Sequence, residues 1–265
     1  MSSPTVLAER IGADVMLVTL NRPHRKNALT DGMLAELEAL CGSVAENASV
    51  RAVVLNGAGG VFCSGFDLDG MEGMTSMPPL ELQRRVERQA GAVRALYGLP
   101  QAVIAAVAGP CIGAGLSLAL AADVRLAAPD TRCRAAFVRV GLSGGDLGAS
   151  WLLPRIVGLG SALDLLLSGR TATAEEALDL RLVNRVVPGD ALLSQALALA
   201  ADIATNSPVA VAVTKAVVHA NAGAASLADA LARESAAQVV TAKSADVEEA
   251  VAAFREGRPP RFPGR

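Results

Sequence analysis

Aromatic side chains make up only 3% of this 265-residue chain, with one tryptophan and one tyrosine. Platforms for stacked bases are therefore not expected. A formal net charge of −2 supplies no field that would gather nucleic acid or an anionic membrane. Histidine is confined to His24 and His219, and Cys41, Cys63, Cys111 and Cys133 form no C-x-x-C pair, so no metal site is expected. A disulfide framework does not suit so large and apolar a chain, and a reducing, cytoplasmic compartment follows. The opening MSSPTVLAERIGADV has no basic segment followed by an apolar run, which argues against a secretory signal. Charge is missing altogether between Arg94 and Asp123, a stretch long enough to span a bilayer. Pro100, Gln101, Pro110, Gly109, Gly113 and Gly115 divide it, and the reading is a buried strand followed by a buried helix.

What is present is a chain that is 52% apolar and 19% charged, long enough for one large domain or a domain with a helical appendage. DVMLVTL (Asp14 to Leu20), RAVVLNG (Arg51 to Gly57), AVIAAVAG, DVRLAA and RAAFVRV read as strands. Thr30 is placed to cap a helix with apolar residues at 34, 37, 40, 41 and 44, and a further helix is predicted from about Leu80 to Leu96. Past Gly141 the pattern turns mostly helical, with starts at Asp190, Ser207-Pro208, Ser226 and Ser244. Strand–helix units followed by a run of helices predict an α/β core and a helical C-terminal part that packs on itself or on another subunit.

The segment GPCIGAGLS, between an apolar strand and a small-residue helix, admits three readings. Gly109, Gly113 and Gly115 could cradle a dinucleotide phosphate, but the motif lies far from the N-terminus and Tyr97 has Gln101, not lysine, four residues on. Gly141-Leu142-Ser143-Gly144-Gly145 fits the serine-hydrolase pattern G-x-S-x-G, with His219 the one downstream histidine. The third reading joins two glycine-rich loops, GVFCSGFDL and GPCIGAGLS. One backbone N–H from each would converge on a developing negative oxygen, backed by a helix N-terminus.

LNRPHRKNAL, FCSGFDL, AGPCIGAGLSLALAADVRLAA, GLSGGDLGASWLLPRIVG, LVNRVVP, SPVAVAVTK and the ending FREGRPPRF, taken in order, resemble the crotonase or enoyl-CoA hydratase/isomerase superfamily along nearly the whole chain. The resemblance implies a crotonase-like ββα-superhelix core with a helical C-terminal trimerisation region. Residues 1–200 would form the core and residues 201–265 the oligomerisation region. It implies an acyl-CoA thioester as substrate, coenzyme A entering as part of it with no separate cofactor, and a homotrimer or dimer of trimers. By position, the enolate-holding N–H groups fall on Phe66 and Ala114. The coenzyme A moiety would run along Arg25, Lys26, Asn27 and Ala28 and along Ser64, Gly65, Asp67 and Leu68, close to Gly113. Met71, Met74 and Met77 would wall the acyl pocket. The basic tail (Arg255, Arg258, Arg261, Arg265, with Phe262) would pack near the coenzyme A end or a neighbouring subunit.

Two departures matter. By the same resemblance, the glutamates that flank the double bond in hydratases correspond here to Ser117 and Phe137, neither of which can hold a proton-transferring charge. Asp146 resembles the aspartate of dienoyl-CoA isomerases. A carboxylate beside an apolar pocket would be desolvated and suited to acid/base work; otherwise it is an N-cap for the following helix. The expected function is therefore enolate-stabilised chemistry of the hydratase/isomerase type with Asp146 as acid/base. A dienoyl-CoA isomerase, a hydrolase-type member and a non-catalytic acyl-CoA binder are the alternatives.

Overall fold

A computed structural model describes residues 4–265. Its first half alternates strands and helices: β1 (Val6–Ile11), β2 (Val15–Leu20), α1 (Asp31–Ala45), β3 (Ala52–Gly57), α2 (Pro79–Tyr97), β4 (Ala102–Val107), β5 (Pro110–Ile112), α3 (Ala114–Ala121), β6 (Val124–Ala127) and β7 (Arg132–Arg134). Then follow α4 (Ala149–Val157), α5 (Leu159–Ser168), β8 (Thr171–Thr173), α6 (Ala174–Asp179), β9 (Arg185–Val186), α7 (Leu192–Ala204), α8 (Pro208–Asn221), α9 (Leu227–Ala242) and α10 (Ala245–Glu256). The main sheet has the order β1-β2-β3-β4-β6-β9 and is parallel except for the β1–β2 pair. A smaller sheet joins β5, β7 and β8.

The core follows from the strand period of two. Ala52, Val54, Ile104 and Ala106 face α7, whose buried Ala196 and Ala200 allow close approach to the sheet. Val53, Leu55, Val103, Ala105 and Val107 face the opposite way, into the larger cluster that takes in α1, α2 and α3. β4 is buried at every position, as an apolar strand covered on both sides must be. The uncharged stretch thus becomes β4, β5 and α3, and among the described residues no single helix is long and apolar enough to cross a membrane.

The caps at Thr30, Ser207 and Ser226 accept from the N–H groups of Met33, Ala210 and Asp229. Two readings change. Residues 135–140 are not a strand: β7 stops at Arg134 and Ala136–Val140 is a 3-10 helix ended by Gly141 at φ 78°. A short apolar run cannot by itself distinguish strand from helix; here the 3-10 turn is what buries Phe137, 4% exposed. Asp190 lies within a 3-10 turn before α7 rather than at its cap. Ser244 starts α10 as its N-cap, as expected, with its hydroxyl donating back to the Thr241 carbonyl at 2.7 Å. The division expected at residue 200 falls within α7.

The loop after β2 is pinned by a residue folded into its own interior. Asn27, 0% exposed at φ 54°, accepts from the Arg22 N–H at 2.9 Å and donates to the carbonyls of Ala58 at 3.0 Å and Val61 at 2.6 Å. Asparagine tolerates the left-handed backbone better than most residues. Asn27→Ala leaves these buried groups unpaired and is expected to cost about 2–4 kcal/mol, read as a lower urea midpoint with an unchanged slope.

Candidate active site

Two loops meet at the C-terminal ends of β3 and β4. The Cys63 N–H donates to the Pro110 carbonyl at 2.9 Å and the Ile112 N–H to the Cys63 carbonyl at 3.0 Å, so the segments run side by side. Glycine is required on both sides of this seam. A Cβ on Gly65, at φ 98°, would sit 3.0 Å from the Ile112 oxygen and 3.9 Å from the Ala114 nitrogen. A Cβ on Gly115 would sit 2.7 Å from both the Cβ and the carbonyl oxygen of Cys63. Burial pushes the Cys63 thiol up to about 12, which makes it filler rather than nucleophile.

The same loop is held on its other edge by the segment after β2. The Leu29 N–H donates to the Gly65 carbonyl and the Asp67 N–H to the Leu29 carbonyl, each at 2.8 Å. The Ser64 N–H donates to the Lys26 carbonyl at 3.0 Å. Gly65, Phe66 and Asp67 therefore lie between the strip of Ala28 and Leu29 and the turn of Gly113 and Ala114. Among the described residues, neither the Phe66 nor the Ala114 N–H donates a hydrogen bond. Ala114 is the first residue of α3, where an N–H has no intrahelical partner and the helix dipole is positive.

Phe66 opens onto a cavity of about 430 Å³. Its apolar wall is Leu29, Phe66, Met71, Met74, Val86 and Leu142; Met77 is not part of it. Three carboxylates line it: Asp31, Asp67 and Asp146. Asp31 is paired with Arg85 at 2.8 Å. Asp67 meets Arg22 at 2.8 Å and Arg25 at 3.4 Å, and the Arg22 hydrogen bond above all holds its carboxyl below the usual range. Asp146 has no cationic partner among the described residues. Burial raises its pKa, against the lowering effect of one hydrogen bond accepted from the Leu147 N–H at 2.9 Å. That turn is strained, with non-glycine Leu147 at φ 45°, a conformation costing of the order of 1 kcal/mol.

The sequence candidates fall into place unevenly. Phe66, Asp67 and Asp146 line one cavity; Ala114 is not in its lining but lies beside Gly65. Ser117 is 0% exposed under the Asp146 backbone, its hydroxyl 3.5 Å from that carbonyl. The Phe137 ring lies against Gly113. Leu68 and Lys26 are exposed, while Arg25 is drawn onto Asp67 and Asp69. Asp146 is not the N-cap of α4, which starts at Ala149 with Gly148 in the cap position. Ser143 lines the cavity, but His219 stacks on Tyr97 at 4.3 Å and faces Asp123, so no serine–histidine pair forms. The basic tail folds onto its own chain: the Arg51 guanidinium donates to the Phe262 carbonyl at 2.8 Å, and Glu249 takes both Arg258 and the Arg261 N–H. Sequence reasoning missed Arg22, the partly buried partner of Asp67, and the polar residues Arg85 and Gln89 of α2 that face the cavity. Their spacing on α2 marks one helix face without showing what that face covers.

Comparison with known proteins yields one consistent pattern. The family model described as enoyl-CoA hydratase/isomerase matches residues 10–265. A Mycobacterium leprae protein named probable enoyl-CoA hydratase echA12 is 42% identical over 253 residues, covering 93% of this chain and 85% of that one. The 1,2-epoxyphenylacetyl-CoA isomerase of Escherichia coli is 36% identical over 252 residues, 95% of each chain. The crystal structure of an enoyl-CoA hydratase from Bacillus anthracis superposes with a TM-score of 0.92 at 31% identity, covering 98% of this chain and 100% of that one.

Because burial disfavours the charged form of Asp146, the folded chain keeps that proton to higher pH than the unfolded chain. Its contribution to stability is therefore full below the ordinary aspartate pKa of 3.8 and is lost as pH rises through the raised value. Asp146→Asn should melt at a higher temperature than the parent at neutral pH, and the difference should shrink toward zero as pH falls below that ordinary value. A variant less stable than the parent at neutral pH contradicts the assignment.

Proposed function

The chain belongs to the enoyl-CoA hydratase/isomerase family, and from that premise we propose that it moves a proton on an acyl-CoA thioester, with Asp146 as acid/base and the N–H groups of Phe66 and Ala114 holding the enolate oxygen. The observation that carries this is the state of the cavity's carboxylates: Asp31 and Asp67 are neutralised by arginines, and Asp146 alone is desolvated without a cation. Such a group can accept a proton from carbon near neutral pH and return it. The thioester oxygen gains charge only as the proton leaves, so fixed N–H donors favour the transition state over the ground state.

A single carboxylate suits a shift of the double bond: the proton taken from one carbon is delivered to another, and no atom is added. Hydration by two carboxylates does not transfer to this chain, because the corresponding positions are Ser117, buried under the Asp146 turn, and Phe137, packed against Gly113. Coenzyme A enters as part of the substrate, its thioester end along Ser64, Gly65 and Gly113 and the rest along Ala28, Asp67 and Leu68 toward Arg25 and Lys26. No redox group or metal is needed to balance a proton shift. The second reading, an acyl-CoA binder without turnover, draws on the same replacement of both glutamates.

We place the reaction in residues 1–200 and assembly, as a homotrimer or dimer of trimers, in residues 201–265. Supporting this, α8 and α9 bury none of their residues, and Leu227, Val239 and Phe254 are 74%, 62% and 87% exposed. Four unpaired thiols fit a reducing, cytoplasmic setting.

The test is turnover of a panel of enoyl- and dienoyl-CoA esters. Asp146→Asn should lower kcat by about 10²–10⁴-fold with little change in ester binding. Ala114→Pro keeps a residue tolerated at a first helical position but removes the N–H, and should cost about 10²–10³-fold. Turnover untouched by Asp146→Asn overturns the acid/base role, and tight binding of every ester with no turnover favours the binder.

A further inference from the structure

Apart from Val86, the wall of the cavity formed by α2 and the start of α1 is polar, and its hydrogen bonds are arranged in one sense. Arg85 Nε donates to Asp31 Oδ2 at 2.8 Å, and Gln89 Nε2 donates to Asp31 Oδ1 at 2.6 Å. The Gln89 amide is thereby oriented, since its oxygen cannot face a carboxylate. Its Oε1 accepts nothing among the described residues, and Gln89 lines the cavity. A second Arg85 nitrogen donates to the Gly70 carbonyl at 2.7 Å, which ties the wall to the loop bearing Met71 and Met74. Two hydroxyls complete the set. Thr30 Oγ1 accepts from the Met33 N–H at 3.2 Å and Ser143 Oγ from the Gly145 N–H at 3.0 Å, so each has a proton left to donate. Both line the same cavity.

We propose that Gln89, oriented by Asp31, is a specificity-determining residue that selects acyl groups carrying a hydroxyl on the part of the chain remote from the thioester. This rests on the acyl-CoA reading of the cavity given above. A hydroxyl is the small group that can both donate to Gln89 Oε1 and accept from Thr30 or Ser143. A plain alkyl tail would cover the amide oxygen without replacing the water it loses, which is the costly way to bury an acceptor. A tail ending in a carboxylate would meet Asp31, already satisfied by Arg85 and Gln89, and gain nothing from it.

Isothermal titration of the full chain with saturated straight-chain acyl-CoAs and their terminally hydroxylated counterparts of equal length tests this without turnover. The parent should bind the best hydroxylated ester about tenfold more tightly than its alkyl match. Gln89→Leu should abolish or reverse that preference. Asp31→Ala, which leaves Gln89 in place but frees its amide to turn, should reduce it. Equal binding of the two ester series by the parent overturns the specificity role and leaves the acyl-CoA reading standing; so does a preference that survives Gln89→Leu. Absence of binding by either series removes both.

Discussion

The constraint on which the site depends is the lateral seam between two glycine-rich loops. Backbone hydrogen bonds from Cys63 to Pro110 and from Ile112 to Cys63 set the register, and Gly65 and Gly115 let the chains approach closer than any side chain would allow. Each loop is the continuation of a strand buried on both faces, β3 or β4, so its position is fixed by the core rather than by its own contacts. A third segment, the strip through Ala28 and Leu29, bonds to the outer edge of the first loop and is itself held by Asn27. Within this frame the N–H groups of Phe66 and Ala114 donate to no acceptor among the described residues, the second because it opens a helix. Donors fixed in this way need no reorganisation when charge develops, which is the advantage of a preorganised site.

On that frame the proposed chemistry turns on which of the cavity's carboxylates are neutralised. Asp67, with two arginines beside it, belongs to the architecture that joins the segment after β2 to the first loop. Asp31 organises α2 against the start of α1. Asp146 sits on a strained turn with a single N–H as partner, a poor arrangement for stability and one that suits the proposed acid/base role. Ser117 and Phe137 serve packing: the Ser117 hydroxyl lies under the Asp146 turn and the Phe137 ring backs Gly113.

Much of this was legible in the sequence where local and tertiary preferences agree. The buried strands at β3 and β4, the Thr30 cap and the two-loop pairing could be read from apolar runs, glycines and spacing, because backbone geometry and burial demand the same residues there. RAAFVRV misled because alternation over so few residues fits a strand and a 3-10 turn alike, and only the position of Phe137 against Gly113 decides between them. Arg22 was hidden by its neighbours Arg25 and Lys26: three cations in one loop give no sign of which turns inward, and Arg22 does so because Asp67 lies across from it. The orientation of Gln89 depends on Asp31, 58 residues away, and no local pattern carries such a pairing.

The central claim is that two backbone N–H groups and one desolvated carboxylate make the carbon next to a thioester acidic. The most direct measurement is solvent deuterium incorporation at that carbon, followed by NMR, with a saturated acyl-CoA incubated with the protein in heavy water. The account predicts exchange well above the uncatalysed rate that depends on both Asp146 and the Ala114 N–H. A protein that binds the ester and leaves its α-protons at the uncatalysed rate would contradict it.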